Sequence, residues 1–241
     1  MSTLRDAAAD LGIPLSDEQL SLFHAYFELL VEWNRRVNLT RITDPQQVAI
    51  QHFLDSLTCL LVLPRPIPLR GLRLIDVGSG AGFPGLPLKI VRPELRLTLA
   101  ESAGKKTAFL RQVVVTLGLQ EVQVITARAE DLAHDPAHRE CYDVAVSRAV
   151  AGLATLAEYC LPFLRLGGRM IAAKTAGIAD ELRAALPAFA TLGGELVEAR
   201  TVALPGLRVP RLLAVVDKTA PTPAQYPRKA GLPAKHPLTG P

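Results

Sequence analysis

Between residues 72 and 85 the chain reads Leu72-Arg-Leu-Ile-Asp-Val-Gly-Ser-Gly-Ala-Gly-Phe-Pro-Gly85. The apolar run from Leu72 to Val77 predicts a buried strand, and the glycines that follow predict a turn that a ligand can approach closely. Pro84 suits the first turn of a helix, because its missing N–H costs nothing there. A strand, a glycine turn and a helix N-terminus together are typical of a cradle for a carboxylate or a phosphate.

An acidic residue ends the next predicted strand. The apolar run from Leu95 to Ala100 leads into Glu101, about 20 residues past the glycines, where nucleotide-binding α/β units place the residue that binds the ribose. A carboxylate there accepts hydrogen bonds from both ribose hydroxyls and repels a 2′-phosphate. The sequence therefore predicts an adenosine compound that lacks this phosphate.

The spacing of the glycines separates two classes of adenosine cofactor. NAD-binding proteins usually carry G-x-G-x-x-G, whereas this chain has G-x-G-x-G, with Phe83 at the place of the third glycine and Asp76 two residues before the first. In S-adenosylmethionine enzymes the loop faces the methionine end, and no pyrophosphate needs room. The pattern favours S-adenosylmethionine, bound by Asp76, Gly78, Gly80 and Glu101; NAD, or a glycine turn that binds nothing, are the alternatives.

The composition is that of a globular protein with one sizeable core. The chain has 241 residues, of which 49% are hydrophobic, and a formal net charge of +4. No apolar run reaches the roughly 18 residues of a membrane span, and the first six residues do not resemble a signal peptide. We therefore expect a cytoplasmic protein without membrane contact. The mild positive excess allows an anionic partner without proving one.

The three cysteines carry no sign of a metal site. Cys59, Cys141 and Cys160 lack the spacing of metal ligands, and they fit reduced thiols in or near a core. No cluster of other metal-binding residues accompanies them. We expect no metal.

The predicted elements divide the chain into three parts. Residues 1–70 predict an N-terminal helical extension packed on the core, with a capping box at Ser16 and Gln19 and a stiff linker at Pro64–Pro68. Residues 71–218 alternate strands and helices, which predicts an α/β domain with a mostly parallel sheet. The last two strands lack a helix between them and should pair antiparallel at the edge. Residues 219–241 are basic and rich in proline, and they fit a flexible tail as well as a functional arm.

The boundaries of the predicted α/β elements follow from the apolar periodicity. Strands are predicted at 72–77, 95–100, 121–126, 142–147, 168–174, 194–202 and 209–217, and helices at about 84–91, 103–117, 153–165 and 178–191.

Polar residues follow several of these strands at their carboxyl ends, where ligands bind in such sheets. Ala129 and Glu130 follow the third strand, where their backbone could read an adenine edge, although a helix cap formed by Glu130 is equally consistent. Arg148 ends the fourth strand and Lys174 the fifth. Arg148 could instead pair with a buried acid, and Lys174 could simply be solvated.

Cations elsewhere could extend this edge into a basic rim. Lys105 and Lys106 open a predicted helix, where they oppose its dipole, which favours a nearby anion. The rim would contact RNA phosphates and give a salt-dependent affinity; its expected members are Lys105, Lys106, Arg148, Lys174, Arg228, Lys229 and Lys235. His52 and Asp55 lie three residues apart on one helical face, which is often a structural pair.

The chain closely resembles the glucose-inhibited division protein B family, also called ribosomal RNA small subunit methyltransferase G. The resemblance spans about residues 18–238. The segments that carry it are Trp33-Asn-Arg-Arg-Val-Asn-Leu-Thr40, His52-Phe-Leu-Asp-Ser-Leu57, Asp76-Val-Gly-Ser-Gly-Ala-Gly-Phe-Pro-Gly-Leu-Pro-Leu-Lys-Ile90, Glu101-Ser102, Lys105-Lys106, Phe109-Leu110, Ala129-Glu130, Ser147-Arg-Ala-Val150, Tyr226-Pro-Arg228, Gly231, Pro233, Lys235 and Pro237-Leu238.

The resemblance implies a Rossmann-like methyltransferase with an N-terminal helical extension. Its members transfer a methyl group from S-adenosylmethionine to N7 of a guanine in small-subunit ribosomal RNA. By similarity, the cofactor contacts are Gly78, Phe83, Ala129, Glu130 and Arg148. The resemblance also favours an ordered C-terminal arm near the RNA, and the substrate would be free ribosomal RNA or a 30S particle.

Guanine N7 carries a lone pair and no proton, so its methylation needs no general base. We therefore expect Arg148 and Lys174 to orient the guanine or its phosphate without transferring a proton. Many family members have glycine after this lysine, whereas this chain has Thr175, which puts the fit of the substrate in doubt. No exposed apolar helix stands out, so a monomer is expected.

Three other functions compete with this interpretation. A methyltransferase could act on a protein or a small molecule, which the basic rim weakly disfavours. An NAD-dependent oxidoreductase would need the missing third glycine. A non-catalytic RNA-binding module would not need an intact glycine loop and Glu101. An RNA-recognition motif would also carry interleaved aromatic residues, whereas the aromatic content of this chain is only 5%.

Overall fold

The computed structural model describes residues 1–63, 71–148 and 151–238, so the predicted linker at Pro64–Pro68 lies outside the described residues. The N-terminal part is helical, as predicted. Its α-helices are α1 (Ser2–Asp10), α2 (Asp17–Asn34), α3 (Pro45–Val48) and α4 (Asp55–Leu57), with a π-helix at Ala49–Leu54 and a 3₁₀ helix at Thr58–Val62.

A capping box begins α2 and joins it to the rest of the molecule. The Ser16 hydroxyl accepts from Gln19 N–H, and the Gln19 side chain accepts from Ser16 N–H, which confirms the predicted pair. The Gln19 amide also donates to the carbonyl of Val91 over 3.3 Å. The cap therefore fixes both the start of α2 and its position against the α/β part.

Strands and helices alternate from residue 73 onward. The strands are β1 (Arg73–Val77), β2 (Arg96–Glu101), β3 (Val122–Thr126), β4 (Tyr142–Arg148), β5 (Leu164–Thr175), β6 (Gly194–Val202) and β7 (Arg211–Lys218). The helices are α5 (Gly85–Val91), α6 (Gly104–Thr116), α7 (Ala129–Leu132), α8 (Leu153–Cys160), α9 (Ala179–Thr191) and α10 (Leu232–Lys235), with a 3₁₀ turn at Leu161–Phe163.

These strands form one twisted sheet in the order β3-β2-β1-β4-β5-β7-β6. The first five strands are parallel to one another, and β7 runs antiparallel to both β5 and β6. The predicted fold class is therefore confirmed. Strand β7 inserts between β5 and β6, so the last strand in the chain is not the edge strand.

One predicted boundary is wrong. The helix expected at 153–165 ends at Cys160, and β5 begins at Leu164, earlier than the predicted residue 168. Pro162 lies in the 3₁₀ turn between them. Proline has no N–H to continue the helical hydrogen bonds, so the helix stops before it.

The sheet is covered on both faces. Leu74 belongs to one buried apolar cluster and Ile75 to the other, because successive side chains of a strand point to opposite faces. The first cluster also contains Leu4 and Phe23 of the N-terminal helices. This cluster contains residues from both sides of the predicted boundary at residue 70, so the division of the chain into three parts stays a proposal. No helix in the described ranges is long and apolar enough to span a bilayer.

Candidate active site

A cavity of about 510 Å³ lies at the carboxyl ends of β1, β2 and β3, within the roughly 300–1,000 Å³ of small-molecule sites. We call it the cofactor cavity. The residues expected to bind the cofactor line it, with the exception of Asp76: they are Gly78, Gly80, Phe83, Glu101, Ala129, Glu130 and Arg148. Parallel strands bring these distant parts of the chain to one edge, where such sites form.

The glycine loop holds its shape through positive φ angles and a carboxylate. Gly78, Gly80 and Gly82 have φ of 73°, 58° and 93°, which other residues adopt at a cost. Glu101 Oε2 accepts from Gly80 N–H over 2.9 Å, and Oε1 accepts from Ala103 N–H over 2.8 Å. Glu101, at the end of the second strand, therefore joins the glycine loop to the start of α6.

Asp76 lies beneath the loop and does not line the cofactor cavity. Its Oδ2 accepts from Gly85 N–H at the start of α5 over 2.8 Å, and a Cβ on Gly85 would lie 2.8 Å from that oxygen. Its Oδ1 is buried without a hydrogen-bond partner in the described part of the chain. The side chain therefore fixes the turn between β1 and α5, and its predicted contact with the cofactor stays a prediction.

Asp76 should make stability depend on pH. Burial raises the pKa of its carboxyl from 3.8 to about 7, so between these values the folded state binds more protons than the unfolded state. The free energy of unfolding then falls as pH rises through this window and levels off above it. We expect the free energy of unfolding of Asp76→Asn to rise relative to that of the wild type by up to about 4 kcal/mol as the pH increases from 4 to 7. Urea unfolding measures this difference.

The matched control is Asp131→Asn, because Asp131 is exposed. Its stability should stay parallel to that of the wild type across the same pH range. If the Asp76→Asn curve also runs parallel, the carboxyl of Asp76 does not titrate in this window and the expectation fails.

His52, Phe83 and Arg148 form a wall on one side of the cofactor cavity. The His52 ring stacks on Phe83 with centroids 4.6 Å apart, and the Arg148 guanidinium lies 4.9 Å from the Phe83 centroid. Burial, followed by the charge of Arg148, lowers the pKa of His52 to about 4. The imidazole is therefore neutral at neutral pH and does not add a second positive charge beside Arg148.

Arg148 is held by an acid from the N-terminal part. Its Nη1 donates to Asp55 Oδ2 over 2.9 Å and to the Gln51 carbonyl over 3.0 Å. Asp55 Oδ1 also accepts from Arg211 over 3.1 Å, and the Asp55 side chain is only 4% exposed. The pairing with an acid is thus confirmed, and it places the guanidinium in the wall of the cavity.

A second cavity of about 490 Å³ lies on the other side of His52 and Arg148, which line both. We call it the acceptor cavity. Its other charged residues are Asp55, Lys174, Glu181 and Arg211. Lys174 Nζ forms an ion pair with Glu181 Oε1 over 2.9 Å and donates to the Ala151 carbonyl over 2.9 Å, so the alternative of a solvated lysine is wrong. The Thr175 hydroxyl accepts from Arg211 over 3.2 Å.

The C-terminal arm, residues 219–238, is ordered and closes part of the cofactor cavity. Gly231 N–H donates to Glu130 Oε1 over 2.8 Å, and Ala234 lines the cavity. The Glu130 side chain is therefore not a helix cap; it anchors the arm. Of the two alternatives for this segment, the flexible tail is wrong.

Arg228 also anchors the arm. Its guanidinium donates to both oxygens of Glu158, over 2.9 Å to Oε1 and 2.7 Å to Oε2, and Glu158 is fully buried. Because this pair neutralises its charge, the expected RNA contact of Arg228 is replaced by a structural role. Lys105, Lys229 and Lys235 are exposed, and Lys106 lines the cofactor cavity. The RNA contacts of these four lysines stay predictions.

Several residues of the acceptor cavity escape sequence reasoning. His52 and Asp55 look like a structural pair, and no motif marks Glu181 or Arg211. The one signal for Arg211 is a cation directly before the apolar run of a strand. Glu181 in the first turn of α9 is indistinguishable from a residue that merely favours the helix dipole.

The family model described as rRNA small subunit methyltransferase G, GidB, matches residues 19–205. The chain belongs to this family. Among curated members, the ribosomal RNA small subunit methyltransferase G of Roseiflexus sp. strain RS-1 is 51% identical over 238 residues, which cover 99% of this chain and 100% of that protein. The corresponding protein of Desulforamulus reducens is 44% identical, over 98% of this chain and 97% of its own.

Solved structures outside the GidB family share the fold. TrmN from Thermus thermophilus superposes with a TM-score of 0.51 and 22% identity, over 70% of this chain and 53% of that chain. MtNAS, in a complex with MTA and tNA, gives a TM-score of 0.54 and 18% identity, over 91% of this chain and 75% of that chain. At these identities the likeness supports the architecture alone.

Proposed function

We propose that the protein is an S-adenosylmethionine-dependent methyltransferase that modifies N7 of a guanine in small-subunit (16S) ribosomal RNA. The observation that carries the proposal is the pair of adjacent cavities that share His52 and Arg148. One has the glycine loop and the ribose acid of an adenosine site, and the other has room for a base. Membership of the GidB family supports the same reaction.

The residues of the cofactor cavity fit S-adenosylmethionine. The loop at Gly78 and Gly80 would hold the methionine end, and the Glu101 carboxylate would accept from the ribose hydroxyls. The backbone at Ala129 and Glu130 would face the adenine, since the Glu130 side chain is occupied by the arm. When bound, this cofactor supplies an electrophilic methyl group on a positively charged sulfur.

The chain's own contribution is to align the acceptor and to exclude water. Guanine N7 already has its lone pair free, so no side chain has to remove a proton. Neutral His52 and the clamped Arg148 guanidinium would fix the base next to the cofactor cavity. Alignment of this kind can supply roughly 7–11 kcal/mol of a barrier. Lys174, which also lines the acceptor cavity, would help to orient the base.

Three exposed lysines, together with the half-buried Lys106, would bind the RNA backbone. Lys105, Lys106, Lys229 and Lys235 would each neutralise a phosphate, so affinity should fall steeply with salt. We propose a monomer that acts in the cytoplasm on free ribosomal RNA or on a 30S particle, without contact to a membrane.

The decisive measurement is methyl transfer from labelled S-adenosylmethionine to small-subunit ribosomal RNA that lacks the modification. We expect label on N7 of one guanine, with free RNA and 30S particles assayed side by side. Cofactor binding without transfer to either RNA would refute the substrate and keep the methyltransferase. No binding of the cofactor would refute the assignment of the glycine loop.

A further inference from the structure

The acceptor cavity contains a cation and a carboxylate side by side. Lys174 Nζ lies 2.9 Å from Glu181 Oε1, and both side chains are largely shielded, at 16% and 31% exposed. Glu181 Oε1 also accepts from Leu153 N–H over 2.8 Å, at the start of α8. Within the described residues Oε2 has no hydrogen-bond partner, so one carboxylate oxygen remains available to a ligand.

Lys174 lies near the end of β5, and Glu181 lies in the following helix, α9. In the register of β4 and β5, Arg148 pairs with Ala173, the neighbour of Lys174. Glu181 reaches the cavity from the first turn of α9 and is held by its bonds to Lys174 and Leu153. Lys174 therefore lies at a strand end beside that of Arg148 and is paired with the Glu181 carboxylate, and all three residues line the acceptor cavity.

Guanine presents complementary polar groups. N7 and O6 are neighbouring acceptors, and the N1–H and N2–H donors follow beyond O6. Adenine differs at the same places, because it has an amino donor where guanine has O6 and an acceptor at N1. An ammonium beside a carboxylate complements the guanine arrangement and opposes that of adenine.

We infer that Lys174 and Glu181 form the guanine-selective part of the acceptor cavity: Lys174 donates to O6, and Glu181 accepts from N1–H and N2–H. This rests on the proposed function and extends it from the reaction to the choice of base. With O6 at Lys174, N7 faces the wall that the acceptor cavity shares with the cofactor cavity. The carboxylate thus selects the base, and its position also directs N7 toward the methyl donor.

The test substitution is Glu181→Gln, because it leaves the fold's own contacts in place. The glutamine oxygen can still accept from Leu153 N–H and Lys174, while its amide replaces the free carboxylate oxygen with a donor. That donor opposes guanine N1–H and suits adenine N1. Asp180→Asn is the matched control, since Asp180 is adjacent, exposed, and paired only with Arg183 among the described residues.

The measurement uses the full chain and two RNAs, one with guanine and one with adenine at the position that the wild type methylates. We expect Glu181→Gln to lower kcat/KM for the guanine RNA about ten- to hundredfold and to lower the guanine-to-adenine ratio by at least as much. The affinity for S-adenosylmethionine, measured by calorimetry, should be unchanged, because Glu181 does not line the cofactor cavity. Asp180→Asn should match the wild type.

Two results would overturn the inference while leaving the proposed function intact. One is a Glu181→Gln variant with wild-type rates on both RNAs. The other is an equal loss on both RNAs with the ratio preserved, which is the pattern of a purely structural residue. If the wild type itself transfers no methyl group to RNA, the proposed function fails, and the inference fails with it.

Discussion

An Arg148→Met variant should keep its fold and lose methyl transfer by about a hundredfold or more. Arg148 lies between the two cavities, and its guanidinium is fixed by Asp55, the Gln51 carbonyl and the Phe83 ring. Methionine fills similar space without charge or donors. A misplacement of the reacting groups by about 1 Å can alone cost about a hundredfold in rate.

The fold should survive because Asp55 keeps a second cation. Arg211 still donates to Asp55 Oδ1 over 3.1 Å, so the buried carboxylate is not left unpaired. The rate should be measured in a single turnover with saturating RNA and cofactor, which separates transfer from binding. Arg165→Met is the control, since Arg165 is half exposed and pairs with Asp143 away from both cavities. Unchanged transfer by Arg148→Met would exclude Arg148 from positioning the base.

A Gly82→Ala variant should be destabilised by about 2–5 kcal/mol. Gly82 has a φ of +93°, and an added Cβ would lie 2.4 Å from Leu86 Cδ1 and 2.5 Å from the Tyr26 hydroxyl. Both neighbours are fully buried, so neither can move into solvent. The cost therefore combines a left-handed backbone with an overpacked core, and it should appear as a lower urea midpoint.

Gly118→Ala separates these two contributions. Gly118 has a φ of +63°, and an added Cβ meets nothing within 4 Å. This control should show the backbone cost alone, about 1–2 kcal/mol. Equal losses in the two variants would mean that the core around Tyr26 and Leu86 relaxes freely, and the packing explanation would then be wrong.

The fold could be predicted closely because local signals agreed along the chain. The glycine loop, the spacing to Glu101 and the alternation of apolar runs fix the order of strands and helices. The insertion of β7 between β5 and β6 could not be predicted, since it depends on pairing between residues far apart in sequence. The end of α8 could be predicted from the sequence, because Pro162 is a local signal that a helix stops.

The two cavities differ in how visible they are in the sequence. The cofactor cavity is built from strand ends with a recurrent motif, so its lining follows from the glycines and the acids. The acceptor cavity joins His52 and Asp55 of the N-terminal helices to Glu181 on α9 and Arg211 on β7. Only tertiary packing brings these elements together, and no spacing rule connects them.

Asp76 and Glu130 show that an acid near a strand end can also serve the fold. Both acids lie where a ligand contact is reasonable, yet the protein uses their side chains internally, for Gly85 N–H and Gly231 N–H. A carboxylate near a strand end can bind a ligand or a backbone donor, and sequence alone does not distinguish the two.

His52 and Arg148 lie between the two cavities, and the proposed reaction moves a positive charge from one cavity to the other. The proposed reaction removes a unit positive charge from the cofactor cavity and creates one on the methylated base. On the receiving side the carboxylates of Asp55 and Glu181 are already paired with cations, Asp55 with Arg148 and Arg211 and Glu181 with Lys174. The charged groups that line the acceptor cavity therefore do not give the methylated base a net attraction. The nearby guanidinium would repel the same cation, and the modified base would be pushed outward once its bond to the methyl group is complete.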